Sequence, residues 1–227
     1  MNLKKEIPSV TTDLRSDIIE LPDVIQNASG IRIFGKVIRS IVYSMDVAVI
    51  ANCDADAVLA VYPWTPNTKI LQAVSTASNI PVLAGIGGGL TRGLRSATVG
   101  FFAEEAGAAA VVLNGPTNID TIKEVRRVVD IPIIYTVTNK QEDLVERIDA
   151  GVKVFNVAGG KDTAKLVSWI RGLPDIGNKI PIIASGGKTK EQISETIKNG
   201  ANAISYKAYG LTEKLFQEKM AKYRKDN

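Results

Sequence analysis

The sequence predicts a single α/β domain, a (β/α)8 barrel, on three observations. Segments "IPVLAGIG" from Ile80, "IPIIYTVT" from Ile131 and "IPIIASGG" from Ile180 begin alike. Glycine-led runs alternate with them: "AGAAAVVLN" from Ala106, "AGVKVFNV" from Ala150 and "NGANAISY" from Asn199. Each kind recurs at roughly fifty residues, the self-similarity of a repeat architecture. Lastly, the runs are short, rich in Val and Ile, and do not alternate in polarity. Strands buried on both faces of a parallel sheet have that composition.

The segments between the runs are helical. In "TKEQISETIKNG", Thr189 and Gln192 form a capping box, Ile193 and Ile197 share a face, and Gly200 stops the helix. "NIDTIKEVRRVVD" aligns Ile119, Ile122, Val125 and Val129, and "KQEDLVERIDAG" aligns Leu144, Val145 and Ile148. Projected backwards, the repeat finds "IRIFGKVI" from Ile31 and "DAVLAVYP" from Asp56, with "SIVYSMDVAVIAN" between them read as a buried helix. Strands near residues 31, 57, 81, 109, 132, 153, 181 and 203, each followed by a helix, close into a barrel. An open doubly wound sheet is the alternative. Residues 1–30 are expected to form an N-terminal extension, with a short helix in "SDIIELPDVIQNAS" across the barrel's N-terminal mouth. Residues 31–227 form the barrel.

Composition narrows the chemistry. The chain has 227 residues, 45% of them hydrophobic, enough for one sizeable core. A net charge of +4, spread along the chain, implies a mild preference for anions. The basic "EKMAKYRKDN" reads as a solvated helix end, and without a recognition motif no nucleic-acid partner is expected. The single cysteine, Cys53, suits a reducing compartment. With no apolar signal core and no membrane-length run, a cytoplasmic location and no membrane partner are expected. The chain contains no histidine. That excludes histidine triads, histidine bases and imidazole metal ligands, leaving Lys, Asp, Glu, Tyr and backbone groups. No cofactor is expected, except magnesium entering on a substrate phosphate.

Active sites of such barrels lie at the C-terminal ends of the strands. The residues ending the runs are Lys36, Tyr62 and Trp64, Gly87 to Gly89, Asn114, Thr136 and Thr138, Asn156, Ser185 to Gly187, and Ser205 and Lys207. Alternation places Ser205 and Lys207 on one face of their strand, and Lys36 with Arg32 and Phe34 on one face of theirs. Closure would make the strands ending at Gly187, Lys207 and Lys36 neighbours. Two lysines beside a glycine turn and a helix N-terminus make an anion site. Crowding would lower the pKa of one lysine and make it a nucleophile or base. The plainer alternatives are solvent-facing lysines and a Gly186–Gly187 pair that only turns the chain. Gly88, in "GIGGGLTRG", is a candidate anion contact or part of a mobile loop. Trp64 is a stacking wall or a packed loop aromatic.

The stretch "IPIIASGGKTKEQISETIKNGANAIS" resembles the seventh strand, phosphate loop, helix and eighth strand of the aldolase-type barrels. That superfamily includes 2-keto-3-deoxy-6-phosphogluconate aldolases, thiamine-phosphate synthases and sugar-phosphate epimerases. The resemblance implies that the Gly186 and Gly187 amides bind a substrate phosphate. "VKVFNVAGG" resembles the sixth strand of the keto-deoxy-phosphogluconate aldolases, which implies a Schiff-base role for Lys153. Here Asn156 stands where that family has proline, and "AVLAVYPW" lacks its glutamate. The eighth strand reads "SYKAYG" where Gly-Ser-Ala is common. Either Lys207 replaces those backbone contacts with a charge, or the ligand has no phosphate. Over its whole length the chain also resembles bacterial barrel proteins, which implies no particular activity.

The expectation is a lyase or isomerase acting beside the carbonyl of a small phosphorylated or carboxylated compound. Lys36, Lys207 or Lys153 would be the reacting lysine. Ser185, Gly186, Gly187 and Lys207 would hold the anion, and Asn114 and Asn156 would orient hydroxyls or polarise the carbonyl. A non-catalytic sensing barrel that binds a phosphorylated metabolite is the second expectation, and a hydrolase or transferase the third. Barrels of this type often associate, so a homo-oligomer is expected.

Overall fold

A computed structural model describes residues 8–12, 17–115, 117–140 and 143–226. Ser16 of the expected first helix and Gln141 and Glu142 of "KQEDLVERIDAG" lie outside the described residues. The chain opens with a 3-10 helix (Asp23–Asn27) and an antiparallel hairpin, β1 (Ile31–Ile33) and β2 (Lys36–Ile38). The barrel strands follow: β3 (Ser40–Tyr43), β4 (Ala57–Ala60), β5 (Val82–Gly87), β6 (Ala110–Leu113), β7 (Ile133–Val137), β8 (Val152–Val157), β9 (Ile182–Ser185) and β10 (Ala203–Lys207). All pair in parallel, and β10 pairs with β3 to close an eight-stranded barrel. The helices after successive strands are α1 (Val47–Ala51), α2 (Thr68–Ala77), α3 (Gly93–Glu105), α4 (Ile119–Val128), α5 (Leu144–Asp149), α6 (Thr163–Arg171), α7 (Lys190–Lys198) and α8 (Leu211–Asp226). Among the described residues no helix is long and apolar enough to cross a membrane.

The barrel's first strand is a correction to the sequence reading. "IRIFGKVI" is not a barrel strand, and "SIVY" is a strand rather than the start of a buried helix. Phe34 and Gly35 both have positive φ, 45° and 84°, and join Ile33 to Lys36. Positive φ at both central residues is the type I′ geometry that matches the twist of a two-residue hairpin. The apolar run therefore folds back on itself. The β-branched Ile41 and Val42 suit a pleated, fully buried strand better than a helix.

The hairpin fills the N-terminal mouth, where the sequence reading put a short helix within residues 16–29. The 3-10 helix packs beside α7 instead. Ile31, Ile33 and Ile38 are buried against the inward-facing Ile41, Leu59, Leu83, Val112, Ile134, Val154 and Ile183. Transfer of each such side chain from water is worth about 1.5–3 kcal/mol. A second apolar layer lies outside the sheet, where Val42, Val58, Val111, Phe155 and Ile204 meet the helices through residues such as Leu71, Ile122, Val167 and Ile193. The helix starts are capped by Asp46, Asn67, Asn118, Asp143 and the Thr189–Gln192 capping box.

Arg171 ties the N-terminal side together. Its guanidinium donates to the carbonyls of Gly177 (2.6 Å), Ile180 (2.8 Å) and Gly200 (2.7 and 2.9 Å) and to Asn202 Oδ1 (2.6 Å). Asn202 in turn accepts from the Ile182 amide and donates to Ser29 Oγ. Burial draws the guanidinium pKa down from its ordinary value, so the carbonyl cage is what holds a partly desolvated cation. Arg171→Ala is expected to cost about 2–4 kcal/mol. Arg171→Lys should recover less than half, because an ammonium cannot reproduce the planar fork. Midpoints of denaturant unfolding check both.

Candidate functional site

The inward faces of the barrel strands change character along the barrel. At the N-terminal end and middle they carry Ala57, Leu59, Leu83, Ala110, Val112, Ile134, Val154, Ile183 and Ala203. Two residues further on, alternation returns the chain to the same face. There stand Asn114, Thr136, Asn156, Ser185 and Ser205, and then Lys207 at the rim. Register holds the ring together. Thr136 pairs with Asn156 across β7 and β8, Ser185 with Ser205 across β9 and β10, and Lys207 with Tyr43 across β10 and β3.

Asn156 and Ser205 are each 6% exposed, and Thr136 is 9% exposed. Asn156 Nδ2 donates to Thr136 Oγ1 at 3.3 Å, while Asn156 Oδ1 is buried without a hydrogen-bond partner among the described residues. Reversing the amide would move the vacancy from acceptor to donor without filling it. A buried amide pole without a partner costs about 1–3 kcal/mol. At the polar end of a barrel, it is the mark of a group awaiting a ligand or water.

Lys207 is exposed at the rim, its Nζ 5.2 Å from the centre of the Tyr209 ring. Tyr209 donates its hydroxyl to the Val61 carbonyl at 3.0 Å and sets its ring edge-on to Tyr43, centroids 5.0 Å apart. Burial and a hydrogen bond with Tyr43 hold the Tyr209 pKa well above that of a free phenol. The side chain thus bridges the exit of β10 to the exit of β4 as a neutral donor. The sequence reading missed both tyrosines. Tyr43 lay in the run taken for a helix, and Tyr209 in "SYKAYG" was passed over beside Lys207.

The other two candidate lysines lie elsewhere, which corrects their expected place. Lys36 sits on the hairpin, lining a cleft of about 350 Å³ with Ser78, Asn79 and Ala109 at the N-terminal end. Lys153 is exposed near the start of β8, at the register shift between Ile133 and Ile134. Neither shares the mouth with Lys207, so the expected lysine crowding is absent.

The glycine turn after β9 has most of its donors occupied. The Gly186 amide reaches the Ser205 carbonyl at 3.2 Å, and Gln192 Oε1 accepts from the amides of Lys188 (2.8 Å) and Thr189 (3.3 Å). Gly187, with φ of 84°, has Gln192 against it, so a Cβ there would meet that side chain at 2.7 Å. Gly88 belongs to a tight turn: its amide donates to the Thr91 carbonyl, and a Cβ would overlap Thr117 and Asn114. Trp64, 77% exposed, lines a cleft of about 340 Å³ at the C-terminal end with Val61, Gly85, Gly87, Leu90 and Asn114.

A closed (β/α)8 barrel with a polar C-terminal mouth is thus the class of molecule. No family model matches the chain, and no curated protein matches it. Solved structures share its fold. A phosphonopyruvate hydrolase superposes with a TM-score of 0.65 at 16% identity, covering 89% of this chain and 86% of that one. A 2,3-dimethylmalate lyase, a member of the PEP mutase/isocitrate lyase superfamily, gives 0.59 at 16%, covering 89% and 85%. The phosphoenolpyruvate phosphomutase of Streptomyces platensis subsp. rosaceus gives 0.59 at 15%, covering 82% and 83%. These likenesses show the barrel fold and do not single out the keto-deoxy-phosphogluconate aldolases.

The comparison corrects the expectation that no cofactor is involved, because phosphonopyruvate hydrolase was also solved with oxalate and Mg2+. Magnesium is usually held through one or two carboxylates with waters and substrate oxygens. The inward-facing residues described at this mouth are amides, hydroxyls and one lysine. Among the described residues no group of three or more His, Cys, Asp or Glu is placed to hold a metal. That donor set does not fit a magnesium ion held by protein side chains, and no step below runs through one.

Asn156→Leu removes the unpartnered amide at similar volume. The variant is expected to be no less stable than the parent in thermal unfolding, yet to lose any stabilisation by a small-molecule ligand. A parallel loss of stability would show that the amide is a structural group.

Proposed function

We propose that this barrel is an enzyme that binds a small anionic, hydroxylated carbonyl compound at its C-terminal mouth and acts on a bond beside the carbonyl, as a lyase or isomerase. The buried Asn156 Oδ1 without a partner carries the reading. An acceptor of that kind suits a substrate hydroxyl. Thr136, Ser185 and Ser205 ring it with donors and acceptors that can serve further hydroxyls or the carbonyl oxygen. The positive charge of Lys207 at the rim draws a carboxylate or phosphate toward the mouth before the lysine gives up its proton and reacts. Gly187 remains a backbone contact for the same anion, while the amides of Lys188 and Thr189 are occupied by Gln192.

In the mechanism, the polar ring fixes the carbonyl and neighbouring hydroxyls inside the barrel, away from bulk water. Lys207, as the free amine, attacks the carbonyl carbon. Loss of water leaves an imine that draws electrons from the adjacent C–C or C–H bond. Tyr209, kept protonated, has its ring beside the lysine and is the neighbouring proton donor once its bond to Val61 opens. Similarity to phosphonopyruvate hydrolase and 2,3-dimethylmalate lyase agrees with the substrate class at the level of fold analogy.

A second reading, binding without turnover, is favoured by the neutrality of the ring. Its described inward-facing members include no carboxylate for acid–base work.

Reductive trapping separates the two. The protein is incubated with a panel of keto acids and sugar phosphates, treated with borohydride, and digested for mass spectrometry. The enzyme reading predicts a stable adduct on Lys207 that disappears in Lys207→Arg. Thermal stabilisation by the same compounds without any adduct would support binding alone.

A further inference from the structure

We propose that the outer face of α3 is the interface through which two copies of this chain pair about a two-fold axis, with their α3 helices antiparallel. Between β5 and the end of α3, Leu90, Leu94, Phe101 and Phe102 are 102%, 72%, 45% and 52% exposed. Leu94, Thr98, Phe101, Phe102 and Glu105 follow the spacing of one helical face. The opposite face is buried, through Ser96, Ala97, Val99, Gly100 and Ala103. The exposed side is therefore not part of this chain's own core, and an apolar stripe of this length marks an interaction site.

The charges on the helix say what covers it. A helix favours acids in its first turn and bases in its last. α3 has neither: Arg95 lies near its start and Glu105 closes its end. Both are exposed, and neither side chain has a hydrogen bond or ion pair among the described residues. Within one chain this arrangement opposes the helix dipole. Antiparallel pairing reverses its meaning. With the two-fold axis near Gly100, Arg95 of one copy lies opposite Glu105 of the other, twice by symmetry, and Thr98 opposite Phe102. Each helix then also presents its start to the other's end. An apolar centre between two such ion pairs is self-complementary, and it fits a second copy of this chain better than an unrelated partner.

The test uses the full chain and light scattering after gel filtration. The wild type is expected to be a dimer at micromolar concentration. Phe102→Glu should give a monomer. Arg95→Glu should also give a monomer, because it places two acids together at each end. Arg95→Glu combined with Glu105→Arg should restore the dimer, and each single variant should keep the circular dichroism of the wild type as a folded monomer. A monomeric wild type would overturn the proposal. So would a dimer indifferent to Phe102→Glu and Arg95→Glu, or one that the charge exchange fails to restore.

Discussion

Closure of the sheet by the pairing of β10 with β3 is the constraint on which the rest of the structure depends. It sets Ser205 beside Ile41 and Lys207 beside Tyr43. It also obliges every second residue of eight strands to share one narrow interior. Side chains there must either pack together or find polar partners, because bulk water is excluded. The chain meets this differently at its two ends. Aliphatic residues and a hairpin plug fill the N-terminal part. Amides and hydroxyls occupy the C-terminal part.

That polarity explains why the mouth around Asn156 is the candidate site. An isoleucine-lined end is satisfied by the hairpin, which comes from the chain itself. The opposite end contains a buried amide pole that no described residue satisfies. Several kinds of residue remain usable at the rim. Lys207 brings charge, Tyr209 a protonated hydroxyl, and Trp64 an exposed ring beside the neighbouring cleft. Among the described residues, the clefts at the N-terminal end, one lined by Arg32, Arg171 and Lys179 and the other by Lys36, hold no buried side-chain atom without a partner. The guanidinium of Arg171 already has the carbonyls and amide it needs.

Much of this was legible from periodicity. The strands from Ala57 onward follow the fifty-residue repeat, and parity alone puts Asn156, Ser205 and Lys207 inside. The first strand was not legible in the same way. "IRIFGKVI" has the composition of a strand on either side of a turn, and Phe-Gly is a less obvious turn signal than Asn-Gly. Lys36 was misplaced with it, since its assignment depended on that strand. The capping box at Thr189 and Gln192 was visible in sequence. Its consequence, that the glutamine oxygen occupies amides of the glycine turn, depends on side-chain direction and appears only in three dimensions. The partnership of Tyr43 with Tyr209 likewise joins residues from opposite ends of the chain, which only barrel closure brings together.

The central claim is that ligands enter at the mouth ringed by Thr136, Asn156, Ser185 and Ser205. Amide chemical-shift mapping by NMR, with side-chain amides included, tests it most directly during titration with hydroxylated keto acids and sugar phosphates. The account predicts shifts concentrated at the Asn156 side-chain amide, Thr136, Ser185 to Gly187 and Ser205 to Lys207. Shifts concentrated instead at Arg32, Arg171 and Lys179, or around Lys36 on the hairpin, would contradict it.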